Sequence, residues 1–230
     1  MPVLFFALQS FTFPNKDPSL LGAWYNEADD GETICFGDGY FVFSRFNKAD
    51  KKFFYTWGGP YQEKEGTITI QVEFDSRDKA LVGKQMTLPL SFSAGQMVLN
   101  DMAEKPVTFK QLDDGKGLLA GNWRISARKQ GDQMTQIPLR ARKTIKLLTA
   151  NRFQWIAINT ETGEFFGTGG GVYTFRDGQY TEQIEFFSRD SSRVGASLSF
   201  EGRVENGQWH HSGFSSKGDP IYEIWTRDQE

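Results

Sequence analysis

Residues 53–97 of this 230-residue chain recur, without a gap, as residues 165–209. Of the 45 aligned positions 18 are identical, among them Phe53, Thr56, Gly58, Gly59, Tyr61, Glu73, Phe74 and Arg77, where unrelated sequences would share about three. The chain is therefore one structural unit used twice, and each copy has to close its own core with about 100 to 115 residues. This divides the chain into an apolar segment at 1–16, a first unit at 17–113 and a second at 117–230. The join, Asp113-Asp114-Gly115-Lys116-Gly117, is short enough to keep the units nearly in contact and restrict their relative motion.

Strand signals fill both units. Tyr40 to Phe46 runs into a polar turn, Asn47 to Lys52, and then into Phe53 to Thr56; Arg152 to Ile158, Asn159 to Glu164 and Phe165-Phe166 repeat the pattern. Tight turns follow at Glu65-Gly66, Asp177-Gly178, Ala94-Gly95 and Asn206-Gly207. Asp-Gly and Asn-Gly suit a two-residue type I′ hairpin, in which both central residues take positive φ. Between turns the residues alternate: Ile68, Ile70, Val72 and Phe74 on one face, Thr67, Thr69, Gln71 and Glu73 on the other. In the second unit the apolar row reads Tyr180, Glu182, Ile184, Phe186, with a carboxylate in its middle.

Gly58-Gly59 and Gly169-Gly170-Gly171 fall inside strands, where glycine marks a bulge or a barrel corner. A phosphate-cradling loop would need a helix after the glycines, and strands follow instead. No amphipathic stretch of helical period extends beyond about ten residues. A meander of this length has to sandwich or close, since open edges aggregate, and the glycine bends favour closure. The fold class expected is all-β: two tandem up-and-down antiparallel β-barrels.

Lys and Arg (26) nearly balance Asp and Glu (29), so neither a basic excess nor a basic stripe marks a nucleic-acid binder. The short cluster Arg140, Arg142, Lys143 and Lys146 reads as a solvated strand face. Cys35 is the only cysteine, which excludes an intramolecular disulfide; it reads as buried and inert. No apolar run reaches the roughly 18 residues of a spanning helix. The apolar start, Met1 to Phe13, lacks a basic region and a small-x-small cleavage site. It reads either as the remnant of a signal whose start lies upstream, which is favoured, or as a first strand on the barrel.

Each unit opens alike, with Leu20-Leu21-Gly22-Ala23-Trp24 and Leu118-Leu119-Ala120-Gly121-Asn122-Trp123. A Gly-x-Trp at the first strand of a meander resembles the lipocalin and wider calycin barrels. The tract from Gly171 through Glu182 to Trp225 is similar to uncharacterised, exported bacterial lipocalin-like proteins. The resemblance implies that Trp24 and Trp123 plug the closed barrel ends and that Arg227 packs over the second indole. In the first unit it leaves only Lys110 for that place, hence a looser plug. It implies a periplasmic or secreted protein, cytoplasmic if no signal precedes Met1, and it carries over no activity. The lipocalin disulfide and Thr-Asp-Tyr turn are absent.

Candidate site residues come from the shared identities and from the differences between units. Glu73 and Glu185 lie on polar faces, four residues before Arg77 and Arg189; a Glu–Arg pair at a barrel mouth could hold a carboxylate or phosphate head by a bidentate contact. Tyr61 and Tyr173 fill the barrels, with hydroxyls able to meet a ligand. Glu182, His211 and Trp209 stand where unit one has Ile70, Leu99 and Met97, which makes unit two the first place to look for a ligand. His210 and His211 point to opposite faces of one strand, so a zinc site is not expected and haem ligation through His211 is a remote option. No other cofactor is indicated.

Three functions remain open on the sequence: binding of a small apolar or amphiphilic molecule inside the barrels, which is preferred; a lyase, isomerase or cyclase using Glu182 and Tyr173; or solid barrels packed by the 21 Phe as a structural or protein-interaction module.

Overall fold

The structure is a computed structural model that describes residues 19–26, 31–100, 105–215 and 218–228. The apolar segment at 1–16 lies outside the described residues. The first unit contains β1 (Gly22–Asn26), β2 (Glu32–Gly37), β3 (Tyr40–Asn47), β4 (Lys52–Lys64), β5 (Thr67–Gln71), β6 (Phe74–Asp75), β7 (Gln85–Ser93), β8 (Gln96–Asn100) and β9 (Pro106–Asp113). The second contains β10 (Gly121–Gln130), β11 (Gln133–Gln136), β12 (Arg142–Leu148), β13 (Arg152–Asn159), β14 (Glu164–Arg176), β15 (Gln179–Phe187), β16 (Ser197–Glu205), β17 (Gln208–Phe214) and β18 (Pro220–Arg227). Each unit closes into an eight-stranded antiparallel barrel, the first through β3–β4 and the second through β10–β18. The expected all-β tandem-barrel class is what the structure has. β6 continues the line of β5 after a break, and β11 is a flap folded back on β10.

The turn chemistry explains the register. Glu65, Asp177, Ala94 and Asn206 have φ of 52°, 50°, 51° and 51°, each followed by a glycine with positive φ, so all four hairpins turn in the I′ sense. Gly59 and Gly171 sit where β4 and β14 bend from one neighbour to the next. A side chain at Gly59 would strike the carbonyl of Gln71, and one at Gly171 the carbonyl of Gln183, the equivalent residue of the second unit. The only helical turns among the described residues are 3-10 turns at Lys79–Leu81 and Ser191–Arg193, each capped by an aspartate of the repeated Ser-Arg-Asp. No helix among them is long and apolar enough to cross a membrane.

Pairing register makes the two barrels comparable position by position. Each plug tryptophan is buried and donates its indole N–H to the carbonyl four residues earlier, Trp24 to Leu20 at 2.8 Å and Trp123 to Leu119 at 2.7 Å. The guanidinium of Arg227 lies 3.9 Å from the centre of the Trp123 ring. In barrel 1 the residue opposite Trp24 is Gln111, not Lys110, whose side chain is exposed. Gln111 bonds the Leu21 carbonyl at 3.2 Å, as Arg227 bonds the equivalent Ala120 carbonyl at 2.6 Å. The first plug thus keeps the hydrogen bond and lacks the cation.

The barrels are packed on each other, beyond what the short join requires. Outward-facing residues of β1–β3 and β6 (Ala23, Cys35, Tyr40, Val42, Phe74) and of β12–β13 (Ile145, Leu147, Ile156, Ile158) form a third apolar core between them. Contacts repeat with the units exchanged: Phe53 stacks on Phe186 at 5.9 Å, and the equivalent Phe165 on the equivalent Phe74 at 6.5 Å. This is the reciprocity of a two-fold interface. At its centre the Gln154 amide donates to Thr56 at 3.0 Å and to the equivalent Thr168 at 3.1 Å, and its oxygen accepts from Ser44 at 2.8 Å. Cys35 is in this core, and burial pushes its thiol up to about 12, which leaves it inert.

Candidate functional site

The duplicated glutamates belong to the interface. Glu73 accepts from Tyr40 at 2.8 Å and from Lys143 of barrel 2 at 3.1 Å; Glu185 accepts from Lys48 of barrel 1 and from Arg152, both at 2.8–2.9 Å. Neither pairs with the arginine four residues on. Arg77 instead lays its guanidinium 3.5 Å from the centre of the Tyr55 ring, and Arg189 donates from Nε to the Phe166 carbonyl at 2.5 Å.

Both arginines stand at the barrel mouths. In barrel 1 a cavity of about 230 Å³ opens there, walled by Phe41, Phe43, Trp57, Leu88, Leu99 and Phe109, with Glu32, Arg45 and Arg77 at its polar rim. Phe43 stacks on Tyr55 at 5.4 Å, so Phe43, Tyr55 and Arg77 form one layered side of the opening. The equivalent mouth of barrel 2 holds about 300 Å³, lined by Arg124, Arg128, Arg142, Lys143 and Arg189 with Ile125, Ile137 and Phe166.

The tyrosines lie at the other ends. Tyr173 donates to Thr149 in the β12–β13 turn at 2.8 Å, remote from the Phe166 carbonyl that holds Arg189. Burial, reinforced by Asp113, pushes its phenol well up. Tyr61 packs edge-on against Phe36 at 5.0 Å, and burial raises its phenol too. The structure therefore does not bring tyrosine and arginine together around one head group.

The interior of barrel 2 is where the two copies part. Glu182 points inward and is buried, 2.8 Å from Lys146 and 2.9 Å from the Tyr180 hydroxyl. The Lys146 ammonium lies 5.1–5.8 Å from the ring centres of Trp225, Trp209, Tyr180 and Phe153, a cation inside an aromatic cage. His211 is buried, 3.7 Å from Glu223, which accepts from Arg128 at 2.8 Å. Burial holds the imidazole below the usual histidine range. Burial alone would raise the Glu223 carboxyl, but His211, Arg128 and Lys146 together outweigh it and hold it at about 2. By register, Lys146, Tyr180, Glu182, His211 and Glu223 replace Ile34, Ile68, Ile70, Leu99 and Val107 of barrel 1. Trp209, in place of Met97, packs on Trp123 at 5.9 Å and His211 at 5.2 Å.

Sequence reasoning found Glu182, His211 and Trp209 and missed Lys146 and Glu223. The cluster read as a solvated face, Arg140 to Lys146, is instead divided: Lys146 is inside the barrel, Lys143 is buried between Glu73 and Asp228, and only the arginines are exposed. The missed signal was alternation, which puts residues 143 and 146 on opposite faces of a strand buried on both. Among the described residues no cluster of His, Cys, Asp and Glu could hold a metal ion.

Residues 118–230 match a family described as a domain of unknown function, DUF4488. The match spans the second barrel. No curated protein matches the chain.

Proposed function

We propose that the protein binds a small amphiphilic anion in the mouth of barrel 1, the apolar part against Phe41, Phe43, Trp57, Leu88 and Leu99 and the carboxylate at Arg77. The observation that carries this is an apolar cavity of about 230 Å³ with a guanidinium held at its rim by an aromatic stack. Its volume is that of about eight waters at ~30 Å³ each, so a short-chain or single-ring carboxylate fits and a long fatty acid does not. Burying about 150 Å² of ligand surface contributes ~4 kcal/mol, and the planar fork of Arg77 selects the head group. The resemblance of both units to lipocalin-like barrels, which take ligands from one open end, agrees with this reading.

Barrel 2, the first choice on sequence grounds, is less suited to an apolar guest because an ion-pair network occupies the positions that line barrel 1 with aliphatic side chains. For a catalytic role Glu182 would have to give up contacts it already makes, since its Oε1 accepts from both Lys146 and the Tyr180 hydroxyl.

Native mass spectrometry of the full chain with single-ring aryl carboxylates tests the proposal. A one-to-one complex is expected, weakened about tenfold by Arg77→Gln and lost in Leu99→Phe, which fills the cavity. Binding indifferent to both substitutions refutes it.

A further inference from the structure

We propose that the mouth of barrel 2 is a second, separate site, for a small soluble phosphate monoester. It does not depend on a ligand in barrel 1. Among the described residues, five cationic side chains and no carboxylate line this mouth, whereas two guanidiniums and Glu32 line the other.

Three of the five cations are already engaged. Arg124 donates to the carbonyls of Ile125 and Ile137 at 3.0 and 3.1 Å, tying the β11 flap to the rim. Arg128 is paired with Glu223, and Lys143 with Glu73 and Asp228. Arg142 and Arg189 pair with no carboxylate among the described residues, and both are oriented by Phe166. The first lies 4.7 Å from the centre of its ring and the second bonds its carbonyl. Two guanidiniums fixed on one residue, with no hydrogen-bond partner for their terminal nitrogens among the described residues, offer two planar forks to a tetrahedral dianion.

The differences from barrel 1 open this mouth and remove its carboxylate. Arg45 becomes Ala157, Glu32 becomes Thr144, and Tyr55 becomes Gly167. Gly167 has φ of 148°, and any side chain there would collide with Arg189 Nε. The glycine lets this arginine lie along bare backbone, where its counterpart Arg77 is stacked on a tyrosine. Ile125, Ile137, Pro138 and Ala157 form an apolar wall beside the cations, which suits the organic part of an ester better than inorganic phosphate.

Isothermal titration of the full chain carrying Leu99→Phe, which fills the barrel 1 cavity, at low ionic strength with phenyl phosphate, and with phenyl sulfate as the singly charged analogue of the same shape, tests this. The expected result is one saturable site for phenyl phosphate, at least tenfold weaker for phenyl sulfate. Arg142→Gln and Arg189→Gln should each weaken phenyl phosphate about tenfold, whereas Arg176→Gln, an exposed cation at the other end of β14, should leave it unchanged. All three variants change exposed side chains, and unaltered melting curves would show that they fold. Equal affinity for the two anions, indifference to Arg142→Gln and Arg189→Gln, or no saturation up to about 10 mM overturns the proposal. Sedimentation of the chain with phosphatidic acid vesicles that requires Arg142 and Arg189 overturns the soluble class of ligand.

Discussion

Lys146 and Glu182 form a 2.8 Å ion pair inside barrel 2 at the positions where barrel 1 carries Ile34 and Ile70. One fold thus tolerates either an aliphatic or an ionic pair at the same depth. The ionic form holds only because the carboxylate also receives the Tyr180 hydroxyl and the ammonium sits among four rings.

Breaking that pair from one side should be costly. Glu182→Ile leaves a buried, uncompensated ammonium, and Lys146→Ile a buried carboxylate; each is expected to lower stability by about 3–5 kcal/mol. The double substitution restores the solution of barrel 1 and should recover most of the loss. Urea denaturation of the four proteins checks this, and additive single effects would show that the two charges do not depend on each other.

The interface predicts cooperativity between the units. Gln154 is buried and is bonded to Ser44, Thr56 and Thr168, so one side chain serves both barrels. Gln154→Leu should cost about 1–3 kcal/mol, because it removes three buried hydrogen bonds at once. The Thr168 hydroxyl then keeps only its bond to the Trp155 carbonyl and Ser44 only its bond to Thr56, while Thr56 keeps that bond and the one to the Phe43 carbonyl. In the unsubstituted protein, far-ultraviolet dichroism and tryptophan fluorescence should report one transition, since the shared core opens only when both barrels do. Two separated transitions would contradict the shared core.

Much of this architecture was legible in the sequence because it is written in local chemistry. Glu65-Gly66 and Asp177-Gly178 set the hairpins, Gly59 and Gly171 the corners, and Trp24 and Trp123 the plugs. What failed to read was the outside of the barrels. Alternation identifies a buried face and assumes that the other is solvated, so Glu73, Glu185 and Lys143 were read as exposed. Their strands are buried on both sides, by a second barrel that a single unit's pattern does not announce. The identities shared by the units had more to say than their chemistry suggested: Phe53, Thr56, Glu73 and Phe74 recur because both copies meet at the same surface. The inward Glu182 and His211 were visible as interruptions of an apolar row. Their partners Lys146 and Glu223 needed the cross-strand register.

The pH dependence should carry the signature of His211. Burial lowers its proton affinity in the folded state, with a weaker opposing pull from Glu223 and Glu182 and a push from Lys146 in the same direction as burial. Below the unfolded value of about 6.5 the unfolded chain then binds more protons than the folded one, so stability falls as pH drops through that value towards the lower folded one. Glu223, held at about 2, keeps its contribution until far more acid conditions. His211→Leu, the barrel 1 residue, should flatten the loss of urea stability between about pH 7 and pH 5. An unchanged slope would assign that loss to other groups.

The plug of barrel 2 can be separated into two contributions. Arg227 covers the Trp123 ring at 3.9 Å and also reaches Asp38 of barrel 1 at 3.0 Å. The first contact is desolvated against an indole and should contribute about 0.5–2 kcal/mol; the second is partly exposed and should contribute at most about 1 kcal/mol. Arg227→Gln, which copies Gln111, is therefore expected to lower the melting temperature more than Asp38→Asn does, and the Asp38→Asn effect should shrink in salt. Arg227→Lys should not rescue the plug, because an ammonium lacks the planar face that stacks on the ring. If Asp38→Asn costs as much as Arg227→Gln, the arginine acts as an inter-barrel tie and the indole contact is incidental.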